Sequence, residues 1–255
     1  MEKQPQFPAE EVTLPSKGLL YLEDSPLRSG KIEMKYMTAR EEDILTNQNY
    51  IKNGTAIDKL LQSLITTTGF NYNDLLIGDK NAIMIAARIL GYGADYDIKK
   101  IHPETGIESD GTINLSEVTD KELDESLIID GKNEFEFTLP TSKINITFKL
   151  LTQGDDLKVE KEIEGLKKLN KTSSEGTIRL KHTLLSINGD YDKRNIRKFI
   201  DDELLARDAR ALRKYIVEIQ PGINMDVNVE FKDGYVENNV NLPINVNFFW
   251  PDVEV

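Results

Sequence analysis

The stretch Asp79-Lys80-Asn81-Ala82-Ile83-Met84-Ile85-Ala86-Ala87-Arg88-Ile89-Leu90-Gly91-Tyr92-Gly93 decides how the chain is organised. Asp79 suits an N-cap, Lys80–Tyr92 reads as helix, and Gly91 or Gly93 supplies the stop. Apolar residues occupy most sides of this helix, so it is expected at the centre of the core. One charge, Arg88, interrupts the run, which is too short to cross a bilayer at about 20 residues.

Upstream, Ala56–Thr66 carries Ile57, Leu60, Leu61 and Leu64 at helical spacing, predicting a helix over 55–66. Thr38-Ala39-Arg40-Glu41 forms a capping box for a short helix to about Thr46. Before it, Ile32, Met34 and Tyr36 alternate with Lys31, Glu33 and Lys35, a strand pattern. Residues 1–30 hold Pro5, Pro8, Pro15 and Pro26 with little periodicity. They read as an extended arm, dispensable for folding.

Downstream the period changes to two. Tyr96 and Ile98, Ile113 and Leu115, Phe135 to Leu139, and Ile144 to Phe148 alternate, with Pro140–Lys143 as a turn. Helices follow at 155–170, capped by Asp155 or Asp156, then near 175–187, 193–203 and 207–219, ending before Pro221-Gly222. Met225 to Phe231 and Val240 to Phe248 alternate about Asp233-Gly234, a hairpin signal. The expected class is α+β: an extended N-terminal arm (1–30), a strand and core helices (31–93), a β-rich insertion (94–151), a second helical part (152–221) and a C-terminal hairpin with an aromatic tail (222–255).

Among 255 residues there is no cysteine, which removes disulfides, thiolate metal sites and a cysteine nucleophile. The opening residues lack a signal peptide's apolar core. A formal net charge of -12 disfavours nucleic acid as a partner. The charge is uneven: residues 154–220 hold 15 Lys and Arg against 13 Asp and Glu, so the remainder carries the acidic excess.

Catalytic patterns are missing. His102 and His182 are not at ligand spacing, and there is no phosphate loop, GxGxxG or Gly-x-Ser-x-Gly elbow. No cofactor is implied. Residues 106–117 imitate a calcium loop through Glu108, Asp110, Asn114 and Glu117, but Gly106 replaces the first carboxylate and Pro103 stands where the incoming helix should end. The alternative is a polar turn into a strand over Thr112–Ser116. Arg207, Arg210 and Lys214 share one helix side, either self-paired with Asp201, Asp202 and Glu203 or open to an acidic partner. In Phe248-Phe249-Trp250-Pro251, alternation puts Phe249 opposite Phe248 and Trp250, and core packing and interface readings stay open.

Several segments in order resemble the T-even-type phage baseplate hub proteins. They are Pro15-Ser16-Lys17-Gly18-Leu19-Leu20-Tyr21 with Met37-Thr38-Ala39-Arg40-Glu41-Glu42 and Leu45, then Arg88–Gly93, then Phe135 to Asp156, then Pro221-Gly222-Ile223 with Phe248–Pro251. The resemblance implies a non-enzymatic component or assembly factor of the tail baseplate hub, located in the virion tail and in host cytoplasm during assembly. Its partners would be other tail proteins, in a symmetric setting. It also makes Pro15, Ser16, Lys17, Gly18, Leu19, Tyr21, Phe249 and Trp250 the expected contact residues, beside Arg207, Arg210 and Lys214. Many relatives carry cysteine pairs that look like zinc knuckles; the corresponding Lys99–Ser109 and Phe231–Asn239 have none, so Pro103, Gly106, Gly111 and Asp233-Gly234 would supply turn chemistry instead.

Overall fold

The computed structural model describes residues 8–169, 174–242, 244 and 246–249. In chain order the elements are β1 (Ala9–Thr13), β2 (Lys31–Lys35), α1 (Ala39–Thr46), α2 (Gln48–Lys52), α3 (Ala56–Leu64), α4 (Ile77–Tyr92), β3 (Asp95–Ile101), β4 (Glu108–Asn114), β5 (Phe135–Thr138) and β6 (Asn145–Phe148). Then follow α5 (Gln153–Lys168), α6 (Glu175–Thr183), β7 (Leu184–Ile187), α7 (Lys193–Lys198), α8 (Ala206–Ile219), β8 (Asp226–Phe231) and β9 (Val236–Asn241). The fold is α+β.

The α4 helix is the centre, with Ala82, Ile83, Met84, Ile85, Ala87 and Arg88 all buried. It begins three residues earlier than its sequence signals suggest. Asp79 is therefore not the cap; it stands buried in the first turn of the helix. At Gly78 a Cβ would come 1.8 Å from the Pro221 carbonyl oxygen, so only glycine lets the 221–222 backbone cross this helix.

The β-rich stretch 94–151 is divided between two sheets. One is four-stranded in the order β3-β4-β8-β9, and the other is three-stranded in the order β5-β6-β7. Alternation announces a strand but not its partner, and here the partners lie far along the chain. The expected helix near 175–187 ends at Thr183, because Leu184 and Ser186 turn inward and pair β7 with β6. Thr152, not Asp155 or Asp156, caps α5; its hydroxyl accepts from the Asp155 amide at 3.3 Å while Asp155 reaches back. The 193–203 helix is α7 followed by a π-helical turn, Phe199–Glu203.

The N-terminal segment departs most from the expected arm. β1 pairs antiparallel with β2, and Leu14, Leu20, Tyr21 and Leu27 belong to the main core cluster. The signal was hidden because turns, not a regular element, deliver these side chains; no 2.0 or 3.6 period marks them. Met1–Phe7 lie outside the described residues.

Candidate protein interaction surface

The loop after β1 carries the first set of expected contact residues. Gly18 has φ +78°, and a Cβ there would meet the Arg28 carbonyl oxygen at 2.3 Å, so glycine is required for this turn. The turn feeds Ser16 and Tyr21 to the start of α4. Asp79, fully buried, accepts from the Ser16 amide at 2.9 Å, the Ser16 hydroxyl at 2.7 Å and the Tyr21 hydroxyl at 2.6 Å. The Tyr21 oxygen in turn accepts from the Leu76 amide at 3.0 Å. Burial raises the Asp79 carboxyl above its ordinary range despite these donors. Pro15, Ser16, Gly18 and Tyr21 are buried, Leu19 is half-buried, and only Lys17 is exposed, paired with Glu125 at 2.6 Å. This set clamps the chain to itself.

The aromatic end behaves similarly. Phe248 and Phe249 are both fully buried and meet edge to face, 5.3 Å between centroids. Arg88, buried in α4, donates from Nε to the Phe248 carbonyl at 2.9 Å and from its terminal nitrogens to Gly93 and Asp95 carbonyls. Its guanidinium lies over the Tyr92 and Tyr96 rings. For Phe249 the core reading therefore holds. Trp250 lies outside the described residues.

The calcium pattern is not a loop. Glu108, Asp110 and Asn114 lie along β4, so the outer two stand roughly 20 Å apart at strand rise. Asp110 pairs with Lys232, which holds its carboxyl below the ordinary range, and Glu117 sits in the following 3-10 turn, receiving the Asn114 amide. Among the described residues no three acidic or histidine side chains converge for a metal. The strand expected over Thr112–Ser116 is Glu108–Asn114.

The two stretches expected to replace cysteine pairs meet in space. His102, buried, accepts at Nδ1 from the Glu104 and Thr105 amides, packs on Phe231 and Tyr235, and brings Nε2 within 3.3 Å of Asp233. A histidine between aromatic rings thus ties the β3–β4 turn to the β8–β9 turn. His182 contacts Glu162 at 2.9 Å, a carboxylate that Arg197 also grips and holds at about 2.

Helix α8 presents the remaining predicted residues. Asp208, buried beneath it, accepts from the Thr141 and Ser142 amides at 2.7 and 2.9 Å and so fixes the β5–β6 turn to the helix start. Burial opposes its charge, but the two amides outweigh that and hold the carboxyl down at about 2. The opposite side holds Arg207, Arg210, Arg213 and Lys214, all exposed and without an ion pair to any described residue. The expected self-pairing is absent there: Asp201 is taken by Lys181 instead, at 2.6 Å. Beside these cations runs a groove of about 230 Å³ lined by Ile77, Leu151, Leu180, Ile216 and Val217.

A family model for the T4 bacteriophage base plate protein matches residues 11–250. The chain belongs to this family. It is thus a structural protein of the phage tail baseplate. No curated protein and no solved structure matches it. In this base plate protein the segments carrying the resemblance converge on α4. Tyr21 reaches Asp79, Tyr92 bonds Glu42 at 3.0 Å, the Gln153 amide bonds the Leu75 carbonyl, Pro221 crosses Gly78, and Phe248 is held by Arg88. These motifs mark the scaffold around α4. Sequence reading missed Arg213 and Val217 on α8, and it missed the groove wall because most of the groove's residues, among them Ile77, Leu151 and Leu180, come from segments far from α8.

Proposed function

We propose that this base plate protein is a non-enzymatic component of the baseplate hub, or a factor that assembles it, acting through protein–protein contacts centred on α8. One observation carries the reading. Four cations stand exposed, with no ion pair to any described residue, beside an apolar groove, in a chain whose net charge is -12. A surface of this kind supplies both halves of a docking site: charge for steering and register, apolar area for affinity.

The neighbours are other baseplate proteins with an acidic contact surface, met in the host cytoplasm during assembly and retained in, or released from, the virion. Quantitative mass spectrometry of purified virions separates the two roles. A fixed copy number per particle marks a component; absence from virions with presence in infected cells marks an assembly factor. Absence of baseplate defects in phage lacking this chain would overturn both.

A further inference from the structure

We propose that α8 is also a self-pairing element, in which the basic face of one copy lies in an acidic cleft of a second copy. This deepens the α8 reading and rests on it. At 100° per residue, Arg207, Arg210 and Lys214 form the crest of the helix, and the two borders of the crest differ in charge. On one border is the apolar groove already described. On the other, Tyr215, Glu218 and Ile219 wall a cleft of about 700 Å³ whose far side is the segment Glu122–Leu127.

That far side is acidic. Glu122 and Asp124 are exposed and, like Glu218, have no ion pair to any described residue; Asp124 accepts from the Ser126 amide and hydroxyl, and Glu125 pairs with the exposed Lys17. Cations and carboxylates with no ion pair to any described residue therefore lie on and beside one helix, with Glu122 and Asp124 across the cleft from it. A single copy cannot bring the crest into its own cleft. A second copy related by a two-fold axis can, and the same operation seats the first copy's crest in the second copy's cleft. Leu127, 40% exposed in the cleft, and Val217, 62% exposed beside the crest, supply apolar area to the contact. Charge complementarity sets the register.

The test is sedimentation of the full chain. The wild type should pair in dilute buffer and weaken as salt rises. Arg207→Glu with Arg210→Glu makes crest and cleft both acidic; Glu122→Arg with Asp124→Arg makes both basic. Each variant alone should self-associate at least about tenfold more weakly. Mixed one to one, they should regain pairing, because both contacts of the mixed pair are again opposite in sign. All four positions are exposed, and thermal unfolding near the wild-type temperature verifies the fold of each variant. A wild type that stays monomeric to roughly 0.1 mM overturns the proposal, as does a mixture no stronger than the separate variants. Capture of baseplate proteins is scored separately. Lost capture in the Arg207→Glu, Arg210→Glu variant of a monomeric wild type sinks self-pairing alone, whereas pairing with no capture supports self-pairing and sinks the docking role.

Discussion

The Tyr21 hydroxyl donates to Asp79 Oδ2 at 2.6 Å across 58 residues of sequence. With the Ser16 bonds to the same carboxylate, this bond ties a proline-rich leader to the start of α4. Tyr21→Phe removes it and also leaves the Leu76 amide without its acceptor. The loss should be about 2 kcal/mol, as for a buried group left unpaired, and chemical denaturation will measure it.

Deleting residues 1–30 takes away β1 together with Leu14, Leu20, Tyr21 and Leu27. The truncated chain should lose its cooperative unfolding transition. A sharp melt near the wild-type temperature would mean that the segment is a docked arm after all.

Phe249→Ala empties a fully buried site against Phe248. It should cost about 3–5 kcal/mol, the range for a buried aromatic cut to alanine. An interface role would instead leave the isolated protein's stability unchanged, so calorimetry on the purified chain distinguishes the two.

Acid should destabilise the protein through carboxylates that are held low in the fold. Burial opposes ionisation of Glu41, yet bonds from Lys35, Thr38 and Ser63 outweigh it and bring the carboxyl down to about 2 from an ordinary 4.5. Because the folded value lies below the unfolded one, this stabilisation is complete above pH 4.5 and disappears as pH falls from there toward 2. Glu41→Gln should flatten the acid limb of a stability curve over that window.

Calcium should give no binding heat at millimolar concentration. Asp110 is already engaged by Lys232, and the four candidate residues are spread along a strand and a turn. Measurable heat in calorimetry would require β4 to reorganise.

Regular elements were the legible part of the sequence. The apolar run after Asp79 announced the central helix, and alternation announced β3 to β6, because both periods are local properties. Partners were not legible. Nothing in 94–151 says that β4 pairs with β8 or that β6 takes β7, since that choice depends on chain closure far away. The same limit hid the role of Ser16 and Tyr21. Buried hydrogen bonds to one carboxylate leave no periodic trace, so a segment without pattern looked loose. On α8 the basic side was visible from spacing alone, but its lack of ion pairs among the described residues and the two flanking clefts were not.

The central claim, that this base plate protein works through the α8 surface, is tested most directly by cross-linking mass spectrometry in phage-infected cells. Wild type is compared with the Arg207→Glu, Arg210→Glu variant. The account predicts wild-type cross-links from Lys214 and its surroundings to other baseplate proteins, and their loss in an equally stable variant. Undiminished cross-links in the variant, or contacts that all map away from α8, would contradict it.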